Sequence, residues 1–221
     1  MSVLVYLLHD DLVVLVADTL ASESGLGPLK FVNKVFSLPY LNTLIAGTGI
    51  MDLAIDWYSF IQKSIVAKDI VNLDKITQNK LSDLYKSYKT DELSTATIYQ
   101  FGFCKEINRH IGFAYRSTNG FVSEKLIPSI GIKPSDGIDL TKDQPAKEEQ
   151  FEDYSKRMAI QQKYIDDQKC EKERLGIGGD LYYYILKKDV IEIKKIYEFP
   201  DKNINYIEML NKLASRNAEM F

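Results

Sequence analysis

The sequence predicts an α+β fold in which two stacked sheets are covered by helices on both outer faces. Three observations carry this. Short runs rich in Val, Leu and aromatic residues cluster near the start, the middle and the end of the 221-residue chain. Segments with apolar residues at three- and four-residue spacing lie between and after those clusters, as amphipathic helices require. Strands grouped between helix pairs bury one face against each other and the other against helices, which gives a layered arrangement.

Taken in order, "SVLVYLL" and "LVVLVAD" flank the polar "HDD" and read as a hairpin buried on both faces. "KVFSLPY" and "NTLIAGTG" form a second pair, turning near Pro39. The run from Ile50 to about Val66 has helical spacing, and a second helix is expected from Leu73 to Tyr88. Strand character returns in "STATIYQFGF", "RHIGFAYRST" and "GFVSEKLIPSIGI", the last two joined by the turn residues "TNG". "SDGIDLTKDQPAKEEQ" is polar and turn-rich, hence a loop. From Glu148 to Arg174 the chain is charged and helix-favouring, with Phe151, Tyr154, Met158 and Ile165 on one stripe. "DLYYYILKKDVIEIKKIYEF" reads as a hairpin turning near "KKD", and "INYIEMLNKLASRNAEMF" as a last helix. No repeat, low-complexity tract or linker divides residues 1–221, so one domain is expected.

Composition removes several function classes. A net charge of -3 and a pI near 5.5 argue against a nucleic-acid partner, which needs a clustered basic face. Cys104 and Cys170 form no CxxC, and the two histidines, His9 and His110, lie apart, so no metal site and no cofactor are expected. The opening apolar run lacks a basic flank and a small-residue cleavage site, and no run has the roughly 18 apolar residues of a membrane span. A cytoplasmic protein is expected, with no membrane partner. "GIGGD" lacks the GxGxxG spacing and the GK[ST] of phosphate loops and reads as a tight entry into a strand.

One spacing points to chemistry. Asp18 ends an apolar run 16 residues after Ser2, and Lys34 follows 16 residues later. Together with "NKVFSL" and "LIAGTG", this opening resembles the proteasome β-subunit family and its bacterial relative, the HslV peptidase, most strongly over Ser2 to Phe60. The resemblance implies a four-layer αββα sandwich of antiparallel sheets, the N-terminal nucleophile hydrolase fold. It implies a peptidase in which Ser2, exposed by removal of Met1, is the nucleophile, and in which Asp18, Lys34 and Gly47 complete the catalytic set. The chemistry is coherent. A neutral hydroxyl needs a base, and an N-terminal residue carries one in its own amine, of unperturbed pKa about 7.7–8.0. Lys34 would lower the pKa of amine and hydroxyl, Asp18 would hold Lys34, and the Gly47 amide would donate to the oxyanion.

The implied partners are unfolded protein or peptide substrates, further copies of the chain in a homo-oligomer, and an ATP-dependent unfoldase. At positions where the family places polar groups beside the terminal amine, this chain has Ile132, Arg174 and Ile177. Those residues favour an alternative, a catalytically inactive scaffold or interaction subunit. A small-molecule amidase of the same superfamily is a further alternative.

Overall fold

The computed structural model describes residues 3–23, 25–88, 95–146 and 149–218, with side chains as far as 215. The chain opens with a hairpin of β1 (Leu4–Leu8) and β2 (Val13–Asp18), closed by His9 donating its amide to the Leu12 carbonyl at 3.0 Å. A second hairpin of β3 (Leu20–Glu23) and β4 (Gly27–Phe31) follows. Then come β5 (Val35–Leu38), a 3-10 turn over Pro39–Leu41, β6 (Thr43–Gly49), α1 (Met51–Ser64) and α2 (Ile70–Tyr85). The middle holds β7 (Ala96–Cys104), β8 (Arg109–Arg116), β9 (Ser123–Leu126) and β10 (Ser129–Lys133). The chain continues with α3 (Phe151–Asp167), β11 (Asp180–Lys187), β12 (Val190–Glu198) and α4 (Lys202–Ala218).

Among the described residues these strands form two five-stranded antiparallel sheets, ordered β10-β1-β2-β11-β12 and β5-β6-β7-β8-β9, beside the separate β3-β4 pair. Side-chain alternation places the cores. Leu4, Leu8, Leu15 and Ala17 from the first sheet share a cluster with Leu44, Ala46, Tyr99 and Phe101 from the second. The other face of the second sheet packs Ile98 and Tyr115 against Leu53, Trp57 and Ile61 of α1 and Leu73 of α2. The other face of the first sheet packs Val5, Val14 and Val16 against Tyr154, Met158 and Ala159 of α3. Every residue of β2 is buried, which is why its sequence is continuously apolar up to Asp18.

Four local differences from the expected elements have physical causes. The β3-β4 hairpin had no counterpart in the apolar pattern, because its strands are short and partly exposed. The α2 helix begins at Ile70, because the Asp69 carboxylate accepts from the Asn72 amide at 3.0 Å and caps it. "GFVSEKLIPSIGI" is two strands: β9 pairs with β8 and β10 with β1, so the chain changes sheets at Ile127–Pro128, where proline has no amide to give a ladder. The α3 helix stops at Asp167, short of Arg174. The Arg174 guanidinium turns back onto the Lys169 and Asp167 carbonyls, both at 2.9 Å, and Asp166 accepts from the Leu175 and Gly176 amides at 2.8 and 2.9 Å. Those bonds satisfy groups that a continuing helix would have used.

Candidate active site

Asp18 is the last residue of β2, and its side chain falls on the same face as Val14 and Val16, the α3 side of the sheet. Lys34 immediately precedes β5. Two backbone bonds bring these segments together with the entry to β11. The Val32 amide donates to the Thr19 carbonyl at 2.8 Å, and the Leu20 amide to the Gly178 carbonyl at 3.1 Å. The Thr19 hydroxyl accepts from the Asp180 amide at 2.8 Å, completing the junction.

At this junction Lys34 Nζ donates to Asp18 Oδ1 at 2.8 Å, and both side chains are buried, at 2% and 0% exposure. The same oxygen accepts from the Val3 amide at 3.0 Å, and Oδ2 accepts from the Gly178 amide at 3.1 Å. One carboxylate thus ties the first described residue, the lysine and the glycine turn before β11. The Val3 and Lys34 nitrogens, 3.0 and 2.8 Å from one oxygen, are at most 5.8 Å apart. Among the described residues Asp18 is the one hydrogen-bond acceptor for the Lys34 ammonium.

Burial pushes the Lys34 ammonium below the ordinary lysine range, against Asp18, whose charge and hydrogen bond favour the protonated form. Taking two charges out of water is expensive, and three donors on one carboxylate are what offset it. A buried cation held this way is a fixed source of positive potential beside the backbone at Val3.

Gly47 lies in β6, and its amide donates to the Lys34 carbonyl at a long 3.3 Å. Its missing side chain has a packing reason: a Cβ there would meet Ala54 Cβ of α1 at 2.6 Å. The amide assigned to the oxyanion by resemblance is therefore engaged with the lysine's own backbone. Of the expected set, Asp18 and Lys34 are in direct contact, Gly47 joins them through that carbonyl, and Ser2 lies outside the described residues.

Gly178 is a partner of Asp18 that the sequence reading missed. Its signal was present in "GIGGD", where Gly176 and Gly179 take positive φ of 70° and 78° and turn the chain so that the amide between them points at the carboxylate. Ile132 and Ile177 share the apolar cluster that contains Val3, and offer no hydrogen bond from their side chains. Arg174 caps α3. No group of metal-ligating side chains occurs among the described residues, and no helix there is long and apolar enough to cross a membrane.

No protein-family model matches the chain, and no curated protein matches it.

Proposed function

We propose that the chain is a proteasome-like peptidase of the N-terminal nucleophile class, with Ser2 as nucleophile after Met1 is removed. The observation that carries the reading is the buried Asp18–Lys34 pair whose shared oxygen also anchors the Val3 amide. Val3 is covalently bonded to residue 2, so the anchor ties the candidate nucleophile to a nitrogen no more than 5.8 Å from the lysine ammonium. The stacking of the three cores supports the four-layer αββα sandwich that this class uses.

In this reading the free amine of Ser2 takes the hydroxyl proton as the oxygen attacks a peptide carbonyl. Lys34 favours the alkoxide and keeps the amine unprotonated, both by adding positive potential. The tetrahedral intermediate collapses as the amine returns its proton to the leaving nitrogen, leaving an ester on Ser2. Water, deprotonated by the same amine, hydrolyses that ester. Gly47 would donate to the oxyanion by exchanging its long bond to the Lys34 carbonyl. Peptides or unfolded chains are the substrates, within an assembly of copies that an ATP-dependent unfoldase would feed.

A second reading, an inactive proteasome-like subunit, is favoured by Ile132 and Ile177, which line the neighbourhood of Val3 with apolar side chains. Hydrolysis of a panel of fluorogenic peptides by wild type and Ser2→Ala separates the two. Activity in wild type that is lost in the variant supports the peptidase. No activity in either with Met1 removed supports the inactive subunit, and equal non-zero rates in both would show that Ser2 is not the nucleophile.

A further inference from the structure

The Gly178 amide reaches Asp18 from the turn "GIGG", and glycine at 178 leaves the peptide joining residues 177 and 178 free to face either way. A peptide unit is planar and trans, so its carbonyl and its amide point in opposite directions. Whatever holds the Ile177 carbonyl therefore aims the Gly178 amide. Lys163 of α3 holds it, donating from Nζ at 3.1 Å. The other acceptors of this ammonium are Asp201 at 2.7 Å and Asp167 at 3.2 Å, which makes three acceptors for three N–H groups. Burial opposes the Lys163 charge, but Asp201 and Asp167 outweigh it and raise the ammonium above the ordinary lysine range, so it is charged at neutral pH. Asp166, three residues along the same helix, grips the preceding Leu175 and Gly176 amides.

We propose that Lys163 is a positioning residue for the candidate site: by gripping the Ile177 carbonyl it fixes the 177–178 peptide so that the Gly178 amide stays on Asp18, the carboxylate that holds Lys34. The contacts run without a break. Lys163 Nζ meets the Ile177 carbonyl at 3.1 Å, the amide of that same peptide meets Asp18 Oδ2 at 3.1 Å, and Asp18 Oδ1 meets Lys34 Nζ at 2.8 Å. A cation on the carbonyl oxygen polarises the peptide and strengthens its amide as a donor, because linked hydrogen bonds reinforce one another. The pair with Asp201 alone would tie α3 to the entry of α4. The bond to Ile177 does something else, since it falls on the one peptide whose other end reaches Asp18. The catalytic consequence rests on the peptidase reading, and the geometric one does not.

The test is NMR of the Gly178 amide in the full chain, wild type against Lys163→Met, beside hydrolysis of fluorogenic peptides by both. In the variant the Gly178 proton is expected to move upfield and to exchange with solvent about tenfold faster, the measure of one weakened bond to a charged group. The turnover number is expected to fall about tenfold with KM little changed, as for a group that acts on the site and not on substrate binding. If Lys163→Met does not fold, Lys163→Gln, shorter and uncharged, gives the same reading. A Gly178 signal that moves while wild type cleaves no peptide upholds the positioning role and counts against the peptidase reading alone. An unmoved Gly178 signal in a folded variant, or a moved signal with wild-type turnover, would overturn the proposal.

Discussion

Two ion clusters meet where β2 joins β11, with Gly178 bonded to Asp18 and the Asp180 amide bonded to Thr19, and they follow opposite rules. Asp18 and Lys34 are sealed from solvent, with one carboxylate taking three donors. Around β12 and α4, Asp180 and Glu198 share Lys195 and Lys202 at 2.9 to 3.3 Å, with side chains 16% to 47% exposed. Exposed pairs are screened by water and contribute about 0–1 kcal/mol each, so the second cluster is a seam that seats the first turn of α4. The buried pair cannot be explained by stability in that way. Well-packed apolar residues in place of such a pair are often neutral or stabilising, so stability alone does not account for it.

The largest expected break in this comparison is Asp18→Ala. It strands the Lys34 ammonium and two amides in an apolar site, and we expect a loss of about 3–5 kcal/mol in urea unfolding. A double-mutant cycle with Asp18→Asn and Lys34→Met sharpens the point. The double variant is expected to be less destabilised than the sum of the singles, and strict additivity would show that the two groups do not act as a pair. Next in size is Gly47→Ala, where the new methyl meets Ala54 at 2.6 Å and must push α1 away. Overpacking of this kind is worth about 1–3 kcal/mol.

Of this, the sequence made the main architecture legible. Within "LVVLVAD", Val13 to Asp18 read as a fully buried strand because every one of those residues is buried, and the order of strands and helices follows the apolar periodicities. The β3-β4 hairpin was not legible, since half-exposed strands of four and five residues leave no alternation to read. The same limit applies to the site. The equal spacing of Asp18 and Lys34 was visible, but the Gly178 amide is set by backbone angles 160 residues away from Asp18, which no local pattern records.

Smaller effects probe the exposed cluster. Lys202→Met is expected to lower stability by less than about 1 kcal/mol, and a larger loss would show that α4 depends on this anchor as the core depends on Lys34. The smallest is a titration. Hydrogen bonds and charge from Lys195 and Lys202 pull the Glu198 carboxyl down to about 2. Its folded value lies below its ordinary one, so the stability it contributes is present above the ordinary glutamate range and is lost as pH falls toward 2. Carbon-detected NMR of the Glu198 carboxyl should give that midpoint. A value near 4.5 would mean that the cluster is open in solution.

The most direct measurement of the central claim is peptide mapping by mass spectrometry of protein purified from its own host, before and after reaction with an acylating peptide ester. The account predicts a chain beginning at Ser2, an acyl adduct on that residue, and no adduct in Lys34→Met that retains its fold. A terminus still carrying Met1, or acylation elsewhere with Ser2 untouched, would contradict it.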